Sequence, residues 1–247
     1  MDQTITSAAN PRLKALVALR RRRRREEAGR TLLEGYDELA LALDAGARPV
    51  ELFTCPELMA DPRVQDDVVR RARQAGASVV RLSRPAFEKV AYREGADGFL
   101  AVVPSVGATP GELVLAADPL VLIAESVEKP GNLGAMLRTA DAAGVDAVVA
   151  ADPVTDWGNP NVVRSSKGTV FSVPVATAST AETFAWAHER GIRVIAATPA
   201  APSLHTDVDL TGPVAIAVGT EKEGLTEEAL GAADVRVRIP MTGKAIR

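Results

Sequence analysis

The chain has 247 residues, 47% of them hydrophobic and 25% charged, with a formal net charge of −3. That is enough apolar material for one large core or two small ones, which excludes disorder as the main state. No apolar run nears the roughly 18 residues of a membrane span, the polar start (Met1 to Asn10) lacks a signal-peptide h-region, and the single Cys55 excludes an intramolecular disulfide and a cysteine metal cluster.

With only His188 and His205 besides, no metal site is expected, and the expected compartment is the cytoplasm without membrane contact. The charge is uneven. Residues 1–105 hold 18 Lys and Arg against 15 Asp and Glu, and residues 106–247 hold 11 against 17. Six consecutive arginines, Arg20, Arg21, Arg22, Arg23, Arg24 and Arg25, lie near the N-terminus. A basic front half points to a polyanion such as RNA. A solvated or frayed helix face is the plainer account of a charge run.

In chain order, Asn10-Pro11 predicts a helix start with Pro in the first turn. Leu13, Leu16, Val17 and Leu19 carry helical spacing into the arginines, and Gly29 ends it. A second helix is predicted over Glu34 to Leu43, a strand over Val50 to Thr54, a helix over Val64 to Ala75 and a strand over Val79 to Leu82. Arg84 to Val90 follows as a helix and Phe99 to Val103 as a strand. Alternating helices and strands make a small α/β domain over 1–105. Pro, Gly, Ser and Thr then mark 106–118 as a linker. The continuous apolar runs Leu120 to Ala124, Ala147 to Ala151, Val194 to Ala197, Val214 to Val218 and Val235 to Ile239 read as buried parallel strands. With helices between them, they predict a parallel sheet covered on both faces over 119–247.

The dinucleotide, P-loop and nucleophile-elbow glycine signatures are absent. What could carry chemistry gathers at strand ends, where open α/β sheets build their sites. The first block runs from Glu125 to Gly144 and contains Pro130-Gly131-Asn132-Leu133-Gly134 and Arg138-Thr139-Ala140. Here Asn132 can cap a helix, and Arg138, leaning toward the N-terminus, would lie over Gly134. An ion pair of Arg138 with Asp141 is the alternative. The second block is Gly219-Thr220-Glu221-Lys222-Glu223-Gly224-Leu225-Thr226, in which two glycines permit close backbone approach to a ligand and Thr226 caps a helix. An ordinary strand-to-helix turn explains it as well. The third is Ile239-Pro240-Met241-Thr242-Gly243, apolar walls or simply a strand stopped by proline. A fourth, Asn161 to Thr169, is either a phosphate-facing segment or a solvated helix end.

In this order and spacing the blocks resemble the SpoU/TrmH family of RNA ribose 2′-O-methyltransferases, of the SPOUT class, over residues 119–247. The front, with Asn10-Pro11-Arg12-Leu13-Lys14 and Glu34-Gly35, is similar to the substrate-binding domain often fused to them. Arg164-Ser165-Ser166-Lys167-Gly168 is similar to members that modify ribosomes and confer antibiotic resistance. The resemblance implies a trefoil-knotted C-terminal domain, a smaller N-terminal RNA-binding domain, S-adenosylmethionine as cofactor and a homodimer. It makes Asn132, Arg138 and Glu221 catalytic and sets Thr198, Gly219, Ile239 and Met241 around the cofactor. RNA contacts would come from Arg12, Lys14, Arg20 to Arg25, Arg164 and Lys167. Ribosomal RNA is the expected substrate, with transfer RNA and a non-catalytic RNA-binding role as alternatives. The family's third motif continues into Ser-Leu-Asn-Val-Ser, which should begin where this sequence ends at Arg247, so a longer natural protein is expected.

Overall fold

The computed structural model describes residues 3–241. Within them the chain is α/β and divides into two compact units. One is Met1–Val106 with Leu133–Arg138 and Asp156–Ser172, and the other is Gly107–Asn132 with Thr139–Thr155 and Val173–Arg247.

The first unit carries strands β1 (Gln3–Ile5), β2 (Arg30–Glu34), β3 (Glu51–Thr54), β4 (Ser78–Leu82) and β5 (Phe99–Pro104). They form one sheet in the order β1-β4-β3-β5-β2, parallel from β1 to β3 and antiparallel across β5. Its helices are α1 (Pro11–Ala18), α2 (Arg22–Ala28), α3 (Tyr36–Asp44), α4 (Pro62–Gln74) and α5 (Arg84–Val90). The period-two alternation of strands puts Leu32, Phe53, Val80, Leu82, Leu100 and Val102 in one core with Leu13 and Leu16 of α1 and Phe87 and Val90 of α5. Asn10 caps α1 by accepting from the Arg12 N–H, with Pro11 in the first turn, as its residue types predict.

Two expectations here need correction. The leucine pattern does not run through the arginines as one helix: α1 stops at Ala18, and α2 starts at Arg22. The break leaves the carbonyls of Leu19 and Arg20 without helical donors, and Arg25 Nη1 supplies them at 3.1 and 2.9 Å. Glu34 belongs to a strand the hydrophobic pattern did not reveal, β2, and the helix begins only after Gly35. At φ +124° Gly35 makes a turn that an L side chain resists, so strand and helix meet in one residue.

Two later stretches also belong to this unit. They are the middle of α6 (Pro130–Ala143) and α7 (Pro160–Ser165) with the turn behind it. Thr31 Oγ1 donates to Gly158 O at 2.5 Å, and Gly168 at φ +85° lies against Glu38, where a Cβ would come within 3.1 Å of its backbone.

The second unit is built on β6 (Leu120–Glu125), β7 (Ala147–Ala151), β8 (Val175–Ala178), β9 (Arg193–Ala197), β10 (Ser203–Leu204), β11 (Val214–Val218) and β12 (Val235–Arg238). The sheet is parallel throughout, in the order β10-β12-β9-β11-β6-β7-β8. All five apolar runs are strands. The pattern missed β8 and β10, the latter two residues long and the former preceded by Pro174 and interrupted by Thr177. Helices α8 (Thr180–Glu189) and α9 (Glu227–Ala232) follow β8 and β11. Phe184, Ala187 and Ala229 from them pack with Val121, Ile123, Val149, Val194 and Ala217. No helix of the described residues is long and apolar enough to cross a membrane. The expected knot depends on residues from Thr242 onward, which lie outside the described ones, as does Gly243 of the third block.

Candidate active site

The strands β12, β9, β11 and β6 are consecutive neighbours in the parallel sheet, so the loops leaving their carboxyl ends emerge side by side. These loops hold Ile239 and Met241, Thr198, the Gly219–Leu225 turn, and the first block. After β6 the chain turns sharply: Ser126 has φ +51°, and Asp152, after β7, has φ +46°. Positive φ in a residue with a Cβ costs about 1–2 kcal/mol and collects at functional sites. The Ser126 N–H donates to Ala151 O at 2.8 Å, and the Asp152 carboxylate accepts from the Thr180 N–H at 2.8 Å, so both turns are held by defined partners.

Helix α6 begins at Pro130 with Lys129 as its N-terminal flanking residue. Asn132 therefore does not cap the helix. It sits within the first turn, its own N–H bonded to Lys129 O at 3.0 Å, and its side chain is left for other work. That side chain donates from Nδ2 to Glu221 Oε2 at 3.5 Å, and Lys129 Nζ meets the same oxygen at 2.6 Å. The first two blocks thus join through one carboxylate. The hydrogen bond from Lys129 lowers the Glu221 carboxyl below its usual range, and Asn132 adds to this. Lys129 is raised in return by Glu221. Both stay charged near neutrality.

Lys129 was not singled out from the sequence. It lies inside the first block, and the only available signal was a cation three residues before the candidate asparagine. Glu125 was also missed. It is fully buried at the end of β6, and a glutamate closing an apolar run looks like a strand terminus until its partners are seen.

Arg138 is exposed, two turns along α6 from Asn132, and takes no part in the ion pairs among the described residues. It does not cover Gly134. That space is filled by the turn after α7, since a Cβ on Gly134 would come within 2.0 Å of Ser165 Oγ and 2.7 Å of Ser166 N. The fourth block is correspondingly no solvated helix end. Ser166, Gly168, Thr169 and Val170 are buried, and only Arg164 and Lys167 reach solvent as charges. Lys167 has φ +54°.

In the second block, Thr220 and Gly224 exchange backbone hydrogen bonds at 2.9 and 3.1 Å, closing the turn that presents Glu221. A Cβ on Gly219 would lie 2.0 Å from Gly224 O, so its missing side chain is accounted for by the turn itself. Thr226 caps α9 by accepting from the Ala229 N–H. Next door, Thr198 N–H donates to Val237 O at 2.9 Å, and Arg238 Nη1 holds Ala201 O at 2.8 Å, tying the β9 loop to β12. Ile239 and Met241 are 58% and 59% exposed, which is unusual for large apolar side chains at a strand end.

The arginine run is mostly engaged. Arg22 bonds Glu26, and Arg23 and Arg24 bond Glu27. Arg20 donates to the Val90 and Ala91 carbonyls at 3.0 and 2.9 Å. Arg12 bonds Gln3 and Glu51. Arg25 does not face outward as expected: it is 3% exposed and paired with Asp156 at 2.6 Å. Lys14 and Arg21 to Arg24 are exposed.

The chain's sequence, compared with known proteins, matches the model of the SpoU rRNA Methylase family over residues 119–246. The chain belongs to this family. The SpoU match is preceded by one to an MRM3-like substrate binding domain over residues 10–101. The 23S rRNA (guanosine(2553)-2′-O)-methyltransferase RlmP of Bacillus subtilis is 29% identical, covering 98% of this chain and 92% of its own length. The 23S rRNA (guanosine-2′-O-)-methyltransferase RlmB of Ralstonia nicotianae is 30% identical, over 86% and 87%. Among solved structures, an RNA 2′-O ribose methyltransferase is 38% identical, with a TM-score of 0.80 and coverage of 98% and 92%. An AdoMet-bound rRNA methyltransferase from Sinorhizobium meliloti reaches a TM-score of 0.89 at 26% identity, over 99% and 91%.

Proposed function

We propose that this SpoU-family chain methylates a ribose 2′-hydroxyl in ribosomal RNA, using S-adenosylmethionine, and works as a cytoplasmic homodimer. The observation that carries the reading is the meeting of Lys129 and Asn132 with Glu221 at 2.6 and 3.5 Å, which joins the family's first two motifs at adjacent strand ends. In this reading residues 1–105 bind RNA, 106–118 link, and 119–247 carry the reaction.

The residues at the strand ends fit the cofactor. Uncovered Ile239 and Met241 offer apolar walls for a nucleoside, the Thr198 and Gly219 loops offer backbone groups, and Glu221 offers an anion for a sulfonium-bearing ligand. When bound, the cofactor supplies an electrophilic methyl carbon. The protein's task would be to orient the ribose hydroxyl toward that carbon. The ribose hydroxyl accepting that methyl group would give its proton to a phosphate oxygen or water. Arg138 is assigned no base role, because a guanidinium offers N–H donors and no acceptor. It stabilises the developing alkoxide and clamps the adjacent phosphate through its planar fork. Lys129 and Asn132 keep Glu221 ionised.

RNA would be held by phosphate contacts from Arg12, Lys14, Arg20 to Arg24, Arg164 and Lys167, which give affinity and salt dependence. With 4% aromatic residues, recognition by RNA shape fits better than base stacking. The test mixes the protein with unmodified total RNA and methyl-labelled S-adenosylmethionine. Label in large ribosomal RNA that survives base removal and is lost in Arg138→Ala is the expected result. Label in transfer RNA would keep the chemistry and replace the substrate. RNA binding without label would mean a non-catalytic RNA-binding protein.

A further inference from the structure

Glu125 is fully buried at the carboxyl end of β6, among the central strands of the parallel sheet. A carboxylate there needs strong compensation. It receives three hydrogen bonds, from Thr226 N at 2.8 Å, Thr226 Oγ1 at 2.5 Å and Thr180 Oγ1 at 3.2 Å. Thr226 is the N-cap of α9 and Thr180 the first residue of α8, so the anion sits at two helix starts, where N–H dipoles favour negative charge. None of these partners is cationic, and the carboxylate is held by neutral donors alone.

Its place in the chain gives this arrangement a use. One residue after Glu125 begins the strained turn that leads to Lys129 and Asn132, and directly before Thr226 lies the turn that presents Glu221. The two turns meet through the Lys129–Glu221 pair, which is 65% and 67% exposed, too solvated to fix its own geometry. A second link between them runs from buried Glu125 to Thr226. We infer that Glu125 is a positioning residue, which sets the spacing of the first and second motif loops by binding the start of α9 and thereby shapes the cofactor site. The part concerning the cofactor rests on the methyltransferase reading, while the link itself does not.

The experiment compares wild type, Glu125→Gln, Thr226→Ala and the double variant. Thr226 is exposed, so Thr226→Ala folds even where Glu125→Gln does not. In the protein without cofactor, amide hydrogen exchange at Thr220, Gly224 and Thr226 should speed up about tenfold in each single variant. The double variant should add little to Glu125→Gln, because the two residues act as one link. KM for S-adenosylmethionine should rise about tenfold or more, while affinity for RNA stays at the wild-type value. Unchanged exchange in both single variants overturns the inference. So does additive behaviour in the double variant, or a loss of melting temperature with wild-type exchange and KM. A wild type that binds no S-adenosylmethionine overturns the methyltransferase reading instead, and hydrogen exchange still decides the role of Glu125.

Discussion

Arg138 and Arg25 show how little a residue type says without its surroundings. Arg138 is exposed on the motif-one helix and is assigned the reacting ribose, so Arg138→Ala should abolish methyl transfer with a small change in melting temperature. Arg138→Lys should also be strongly impaired, because a point charge cannot replace a bidentate fork; near wild-type kcat in that variant would remove the clamp from the mechanism. Arg25 is buried against Asp156 and two carbonyls. Arg25→Ala takes from Asp156 its buried partner, leaving Arg22 as the nearby cation, and strips the Leu19 and Arg20 carbonyls of their donor; the expected loss is about 3 kcal/mol in chemical denaturation. Arg23→Ala, at an exposed helix position, should barely move stability. On RNA the order reverses. Alanine at Lys14 or Arg21 should reduce the salt slope of binding by about 1, measured by anisotropy, whereas a folded Arg25 variant should keep it. Glu34 adds a pH effect, since burial pushes its carboxyl up. A carboxyl raised in the fold contributes stability below the ordinary carboxylate range and loses it as pH rises through the raised value. Glu34→Gln mimics the protonated form at every pH. Its melting temperature should match wild type in acid and exceed it at neutral pH and above.

Elements here are held by small residues whose need is steric. The packing of α6 against the turn after α7 requires Gly134, because a methyl group would strike Ser165 Oγ and the Ser166 backbone. Backbone cannot yield as a side-chain tip does, so Gly134→Ala should cost about 1–3 kcal/mol and disturb the helix that carries Arg138. Gly219→Ala meets backbone in the same way at Gly224. The expected signature there is weaker cofactor binding in calorimetry, because the turn presenting Glu221 must open. The electrostatic half of that turn is tested by Lys129→Met, which removes the main cause lowering Glu221. Its carboxyl should then titrate higher by NMR, and wild-type titration in the variant would mean that the Lys129 contact is not populated in solution.

At the scale of the molecule, the sequence made most elements legible. The five apolar runs of the second unit and the Arg84–Val90 helix were readable because burial on both faces and helical periodicity write themselves into local composition. The strands β1, β2, β8 and β10 were not, being short, or interrupted by polar residues and resolved only by their partners in the sheet. The candidate site divided the same way. Motif order offered Asn132, Arg138 and Glu221 as candidates. Their contacts were not legible, and neither was the service of Glu125 and Lys129 to them.

The sequence by itself determined the class of fold, the family and the identities of the residues offered for chemistry, because local periodicity, caps and motif spacing are properties of neighbours along the chain. Only the tertiary structure decided which charges are exposed and which are buried in pairs, which glycine admits backbone, and which carboxylate bonds the start of a distant helix. Those outcomes depend on burial and on partners as distant in sequence as Arg25 and Asp156, 131 positions apart. A buried charge is fixed by whatever the fold brings to it, and no local pattern encodes that.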